Sequence, residues 1–346
     1  KSQLPSIAAA VDAELGLADP TPLLAALVCA SPADAALHDA FGNVNGICAY
    51  DGYGPEFMNH DLSHWCGPQF QGKYVSDYIH KAYKPTLPVF HLVGGMDKLT
   101  EGEIDAGDPD DGLPVSLDQW IRRDGIRCFK VKLRGTDIDW DVRRTAEVAA
   151  VIQDTYSRLG ISDAFYLSTD SNEMNESPET VIEYLHKLRE ASPAAFSQLL
   201  YLEQPTERDL SVHRFDMHAV GRIKPVVVDE GVTDVDKLDL ARELGWSGVG
   251  LKTCKGHSFA LTAAAWAKEQ KMLLSLQDLT NPGLSLIHAA LFAAHVPTMN
   301  DVELNSPQFT PAANAPWLPR LKELFAPTDG LHHLPERPAI GLGSTM

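Results

Sequence analysis

From Leu87 onward, short apolar runs rich in β-branched residues alternate with longer segments whose apolar positions recur at helical spacing. Eight such runs can be counted: LPVFHLV from Leu87, IRCFKVKL from Ile126, AFYLST from Ala164, LLYLE from Leu199, PVVVD from Pro225, SGVGLK from Ser247, MLLSL from Met272 and MNDVEL from Met299. The segments between them carry helix signals. Ser177 caps a helix with Pro178 at its first position and Glu179 in its first turn, Asp234 precedes KLDLAREL with Gly245 closing it, and Pro282-Gly283 opens LSLIHAALFAAHV. Strands that alternate with helices pair in parallel, and eight of them predict a closed (β/α)8 barrel of the TIM type.

The chain before the barrel reads differently. Ile7 to Asn45 predicts helices, with AAAVDAEL and DAALHDAFGNV as apolar-periodic segments. Tyr50 to Pro85 is rich in Gly, Pro, His and aromatics and predicts a long loop, either a lid over the barrel mouth or an ordered insertion packed on the barrel; Tyr53, Phe57, His60, His64 and Trp65 lie in it. No further ligand spacing supports His60 and His64 as a zinc pair. Glu101 to Asp111 reads as a solvated acidic loop.

Composition narrows the function. A formal charge of −18, with 29 Lys and Arg and no long basic run, disfavours a nucleic-acid partner, because phosphate binding is built from clustered cations. No apolar stretch approaches the roughly 20 residues a membrane span needs, and Lys1 to Ala10 lacks a signal-peptide layout. Cys29, Cys48, Cys66, Cys128 and Cys254 are odd in number and scattered, as expected of reduced, buried packing thiols in a cytoplasmic protein.

The chemistry lies at the strand ends, where barrel active sites assemble. The second run ends with Lys130 and Lys132, the third with Asp170, the fourth with Glu203, the fifth with Asp229 and the sixth with Lys252. Three carboxylates on neighbouring strand ends supply hard oxygen ligands suited to Mg²⁺, with Mn²⁺ as the alternative, and repel one another unless a cation lies between them. Lys130 and Lys132 are two apart on a strand and share its inner face. Two ammoniums held close are expected to depress each other's pKa, so that one serves as a general base. Lys252, four strands round, would approach a substrate from the opposite side.

These elements, FKVKLRG, STDSNE, YLEQP, VVDEG and GLKTCKG, resemble the muconate lactonizing enzyme subgroup of the enolase superfamily (the mandelate racemase/muconate lactonizing enzyme family), from about Ala33 to DGLHHLPERPAIGLG near the C-terminus. The resemblance implies that Asp170, Glu203 and Asp229 bind Mg²⁺, that Lys132 and Lys252 are acid/base catalysts, and that Lys130 tunes Lys132 and touches a substrate carboxylate. Asn172 and Glu230 would orient the ligands. On the seventh strand end Gln277 or Asp278 matches the family's acid, with Asp278 favoured. Glu303 and Asn305 replace the Asp-x-Asp pair with which dipeptide epimerases of the subgroup hold a substrate ammonium. The fold implied is the superfamily's modified barrel with a partial N-terminal capping region: residues 1–86 as helical cap and loop, 87–305 as barrel, 306–346 as a segment returning to the cap. The antiparallel sheet that normally begins the cap is not visible in the sequence.

The activity expected is Mg²⁺-dependent abstraction of the proton next to a carboxylate through an enediolate, as a racemase or epimerase of a small carboxylate or amino-acid derivative. Cycloisomerisation or syn-elimination on the same scaffold is the alternative, and a non-catalytic barrel with an incomplete cap is a third. The partners implied are a small-molecule carboxylate and further copies of the chain in a homo-oligomer, with no membrane.

Overall fold

The computed structural model describes residues 3–299, 302–336 and 339–343. Eight parallel strands form its centre: β1 (Thr86–Val93), β2 (Cys128–Lys132), β3 (Tyr166–Asp170), β4 (Leu199–Glu203), β5 (Val226–Val228), β6 (Gly248–Leu251), β7 (Leu273–Leu276) and β8 (Val302–Glu303). They pair in the order β7-β6-β5-β4-β3-β2-β1-β8, and the Met299 amide donates to the Leu274 carbonyl at 2.7 Å where the ring meets itself. The modified TIM barrel read from the sequence is therefore present. Each strand lies within a few residues of its run, although Asn300 and Asp301 of the eighth run fall outside the described residues.

Register decides which side chains face inward. Lys130 lies opposite Ser168, Lys132 opposite Asp170 and Asp170 opposite Glu203, and because side chains alternate along a strand all share the interior with Tyr201. Below them Phe90, Cys128, Tyr201 and Val227 form a sealed apolar plug, so the polar groups above are lifted to the mouth. Outward residues such as Val131 and Leu202 pack under the helices. A ninth strand, β9 (Leu331–His333), was not foreseen; it pairs antiparallel with the start of β1 at the end of the barrel remote from the mouth.

Among the described residues no strand precedes β1. Helices occupy Leu4–Leu15 and Leu23–Asn45, and the second begins well before the predicted DAALHDAFGNV and runs through Pro32. Proline leaves the carbonyl four residues back without its helical donor, and the Ser31 hydroxyl supplies one to Val28 O at 2.9 Å. By length and composition this 23-residue helix, with a mean hydropathy of 1.2 in its most apolar window, could cross a membrane, which corrects the expectation that no such stretch exists. Its polar residues, however, bind a barrel helix and the C-terminal segment. Asp34 accepts from the amide and hydroxyl of Ser258 at 2.8 and 2.6 Å, and Asp39 accepts from the Leu342 amide at 2.7 Å. Cys29, expected to be a buried thiol, is exposed on this helix.

The Tyr50–Pro85 segment packs along the outer helices His257–Glu269 and Leu284–His295. It is a series of short helical turns whose Tyr50, Tyr53, Leu62, Phe70 and Val75 are buried, and Lys73 and Tyr78 both bond Glu269 at 2.7 Å. Tyr53 OH bridges His38 Nδ1 at 2.9 Å and His257 Nε2 at 2.8 Å, while His257 Nδ1 lies 2.9 Å from His288 Nε2. One buried polar chain thus ties the N-terminal helix to two barrel helices.

Candidate active site at the barrel mouth

Strands β3, β4 and β5 deliver Asp170, Glu203 and Asp229 side by side, each no more than 2% exposed. Lysines stand among them. Lys130 Nζ lies 2.7 Å from Glu203 Oε1, 3.1 Å from Asp170 Oδ2, 3.3 Å from Glu303 Oε2 and 3.0 Å from Gln277 Oε1. Lys132, partly exposed, bonds Asp170 Oδ2 and, at 3.0 Å, Asn172 Oδ1. Across the barrel Lys252 Nζ lies 2.5 Å from Asp229 Oδ2 and 3.6 Å from Glu230. In a ring of eight, β2 and β6 are four strands apart, so Lys132 and Lys252 flank the mouth from opposite sides.

The electrostatics correct one expectation. Lys130 is not depressed by its neighbouring lysine: burial alone would lower it, but Glu203, Glu303 and Asp170 hold it well above the usual lysine range. Burial pushes Glu203 well above the usual carboxylate range against the pull of Lys130, and the charges of Asp170, Asp229 and Glu303 add to the rise. Asp229 goes the other way: despite its burial, Lys252 and Lys255 draw it below that range.

The remaining predicted residues surround this core. Asn172, at φ 47°, donates its amide to Asp170 Oδ1 at 2.8 Å. Glu230 has a buried oxygen, Oε2, with no hydrogen-bond partner. Asp278 does not reach the centre. Its Oδ1 accepts from the Leu279 and Asn281 amides and its Oδ2 from the Asn305 amide at 2.7 Å, and burial raises its carboxyl to about 6. Gln277, just past β7, is the residue that meets Lys130. Glu303 Oε1 accepts from Asn305 Nδ2 at 2.9 Å.

Two residues of the quoted motifs were passed over: Gln204 in YLEQP and Lys255 in GLKTCKG. Gln204 Oε1 accepts from the amides of Asp229 and Gly231 at 2.8 and 3.1 Å, and Lys255 Nζ donates to Asp229 O and Oδ1 at 2.6 and 3.0 Å. Their position beside the site lysine and the site glutamate was the available signal.

The donor set suits a hard divalent cation. It is all oxygen, and Glu203 Oε2 is buried without a hydrogen-bond partner, a costly state that a cation would relieve. As the side chains stand, no three such groups among the described residues converge on one point; ammoniums lie between the carboxylates and supply the neutralising charge.

The sequence model for the enolase C-terminal domain-like family matches residues 114–346. Among solved structures the fold is similar to the L-Ala-D/L-Glu epimerase from Bacillus subtilis, at 16% identity and a TM-score of 0.57, over 92% of this chain and 72% of that one. It is similar to the dipeptide epimerase from Enterococcus faecalis V583 complexed with Mg and L-Leu-L-Tyr, at 17% identity and 0.58, over 99% and 77%. A muconate lactonizing enzyme from Pseudomonas fluorescens, complexed with muconolactone, aligns at 18% identity and 0.56, over 98% and 74%. Likeness at such identities speaks for the fold alone. No curated protein matches the sequence.

Proposed function

The chain belongs to the enolase C-terminal domain-like family, of the mandelate racemase/muconate lactonizing enzyme type, and is an enzyme of that family; from this premise we propose that it abstracts the proton next to the carboxylate of a small substrate and returns one to the same carbon, as a racemase or epimerase. The observation that carries the reading is the placement of Lys132 at the end of β2 and Lys252 just past β6, four strands apart with the carboxylates of the β3, β4 and β5 ends between them. Inversion at a carbon requires a base on one face and an acid on the other, and opposed lysines meet that requirement whichever enantiomer is bound.

Asp170, Glu203 and Asp229 would hold Mg²⁺, or Mn²⁺ in its place. The bound ion supplies positive charge to the substrate carboxylate as negative charge accumulates there on loss of the proton. Lys132 Nζ, held by Asp170 and Asn172, takes or gives the proton at one face; Lys252 Nζ, held by Asp229 and Glu230, does so at the other. Lys130, gripped by three carboxylates and Gln277, stays protonated and offers a fixed cation beside the substrate carboxylate. Asn172 and Glu230 limit the reach of the two bases.

The test is exchange of solvent deuterium into a library of carboxylic acids and dipeptides with Mg²⁺, for the wild type and for Lys132→Ala and Lys252→Ala. Each lysine should serve one enantiomer, so each substitution should slow exchange of a different enantiomer by about 10²–10⁴-fold. Equal loss from both enantiomers in one variant, with ring closure or loss of water as the net reaction, would indicate cycloisomerisation or elimination. A chain that binds Mg²⁺ yet exchanges no acid would be a non-catalytic barrel.

A further inference from the structure

The three-residue strand β5 ends in a turn, residues 229–232, whose amides at Asp229 and Gly231 and carbonyls at Asp229 and Val232 are held by side chains from beyond the neighbouring strand ends. On one side Gln204, wholly buried, accepts from the amides of Asp229 and Gly231 and donates to Thr206 O at 2.9 Å. On the other side Lys255, 2% exposed, spends all three of its protons on this turn. Its Nζ donates to Asp229 O at 2.6 Å, Asp229 Oδ1 at 3.0 Å and Val232 O at 3.3 Å. An ammonium so placed has no donor left for a substrate, and its burial is offset by three acceptors and one full negative charge.

The consequence falls on Asp229. Oδ1 is committed to Lys255, whereas Oδ2 is paired only with Lys252 Nζ, at 2.5 Å, the ammonium that a divalent ion at the mouth would displace. Rotation of the carboxylate to present both oxygens would break the Lys255 contact and leave a buried ammonium short of an acceptor.

We propose that Lys255 is a positioning residue that restricts Asp229 to offering one oxygen, Oδ2, to a divalent ion and thereby biases the site toward Mg²⁺ over Ca²⁺. Mg²⁺ demands near-octahedral single-oxygen ligation at short distance, while Ca²⁺ tolerates more ligands and readily takes a carboxylate through both oxygens. The inference rests on the reading of Asp170, Glu203 and Asp229 as an ion site.

The experiment is calorimetric titration of Mg²⁺ and Ca²⁺ into the full chain and its Lys255→Met and Lys255→Gln variants. Removing a positive charge strengthens binding of both ions alike, so the ratio of the two dissociation constants isolates the geometric effect. That ratio, Ca²⁺ over Mg²⁺, should fall at least tenfold in both variants, since freeing Oδ1 benefits only the larger ion. An unchanged ratio in a folded variant overturns the proposal. Should both variants fail to fold, crystals of the wild type soaked in Mn²⁺ decide: Asp229 bound through Oδ2 alone supports it, and ligation through both oxygens overturns it. A wild type that binds neither Mg²⁺ nor Mn²⁺ overturns the ion site itself, an outcome distinct from intact binding with an unchanged ratio.

Discussion

Glu203→Gln is predicted to leave the ion-free protein as stable as the wild type while abolishing its response to Mg²⁺. Breaking a buried ion pair by removing one partner ordinarily costs about 3–5 kcal/mol, because the remaining charge is stranded. Lys130 would not be stranded: with Glu203 neutral it keeps Asp170 at 3.1 Å and Glu303 at 3.3 Å. The substitution also removes one of four carboxylates crowded into a dry site, the one that its burial and its acidic neighbours already push toward protonation. The two effects oppose each other, so the ion-free change should stay within about 1 kcal/mol of zero. Mg²⁺ at about 100 times its dissociation constant should stabilise the wild type by about 2.7 kcal/mol. Without the buried Glu203 Oε2 as a ligand, the variant should gain almost nothing. Urea denaturation with and without Mg²⁺ measures both quantities. A loss of 3 kcal/mol or more without the ion, or an undiminished gain with it, would refute the reasoning.

The histidine chain makes a pH prediction. Burial lowers His257 well below its ordinary value and His288 to about 4, with His38 nearby reinforcing both. Between the unfolded value near 6.5 and the folded value the unfolded chain binds more protons, so this stability is complete above pH 6.5 and is lost as pH falls toward 4. For His288 the loss is about 2–3 kcal/mol. Asp278, raised to about 6, opposes it, so the comparison to make is His288→Gln against wild type by urea denaturation from pH 7 to 4.5: a shallower acid loss in the variant is expected, and parallel curves would contradict it. Gly135→Ala should cost about 2–3 kcal/mol, since Gly135 has φ 72° and a Cβ there would lie 2.8 Å from Met174 backbone and side chain. A urea midpoint unchanged with the same slope would show that the loops after β2 and β3 yield freely.

The barrel was legible because its information is local and repeated. Apolar runs such as PVVVD and LLYLE mark strands buried on both faces, and closure brings the strand ends together whatever the loops do. The candidate site residues could therefore be gathered at one mouth without knowing a single contact. Elements whose identity depends on distant partners were not legible. Leu331–His333 becomes a strand because the open edge at the start of β1 accepts it. Likewise, nothing in the aromatic content of Tyr50–Pro85 distinguishes a lid from a pad; the packing partners on His257–Glu269 decide it.

The same distinction separates the charges that gather from the roles they take. Strand spacing brings Lys130, Lys132, Lys252 and Lys255 to one mouth with Asp170, Glu203, Asp229, Glu230 and Glu303, but spacing treats all four lysines alike. Distance does not. Lys255 is spent on the Asp229 turn and Lys130 on three carboxylates and a glutamine, so neither can leave its place without stranding buried charge. Lys132 has one carboxylate, one amide and access to solvent; Lys252 has Asp229 close by and Glu230 at the edge of reach. Despite its burial Lys252 is held above the usual lysine range by Asp229 and Glu230, yet it stands on the opposite side of the ring from Lys132. A lysine takes a proton only in its neutral form, so the role proposed for Lys252 requires a cation on Asp229 to replace the charge of the ammonium; opposition across the ring, which Lys130 and Lys132 on β2 lack, is what favours the pair under the reading proposed above.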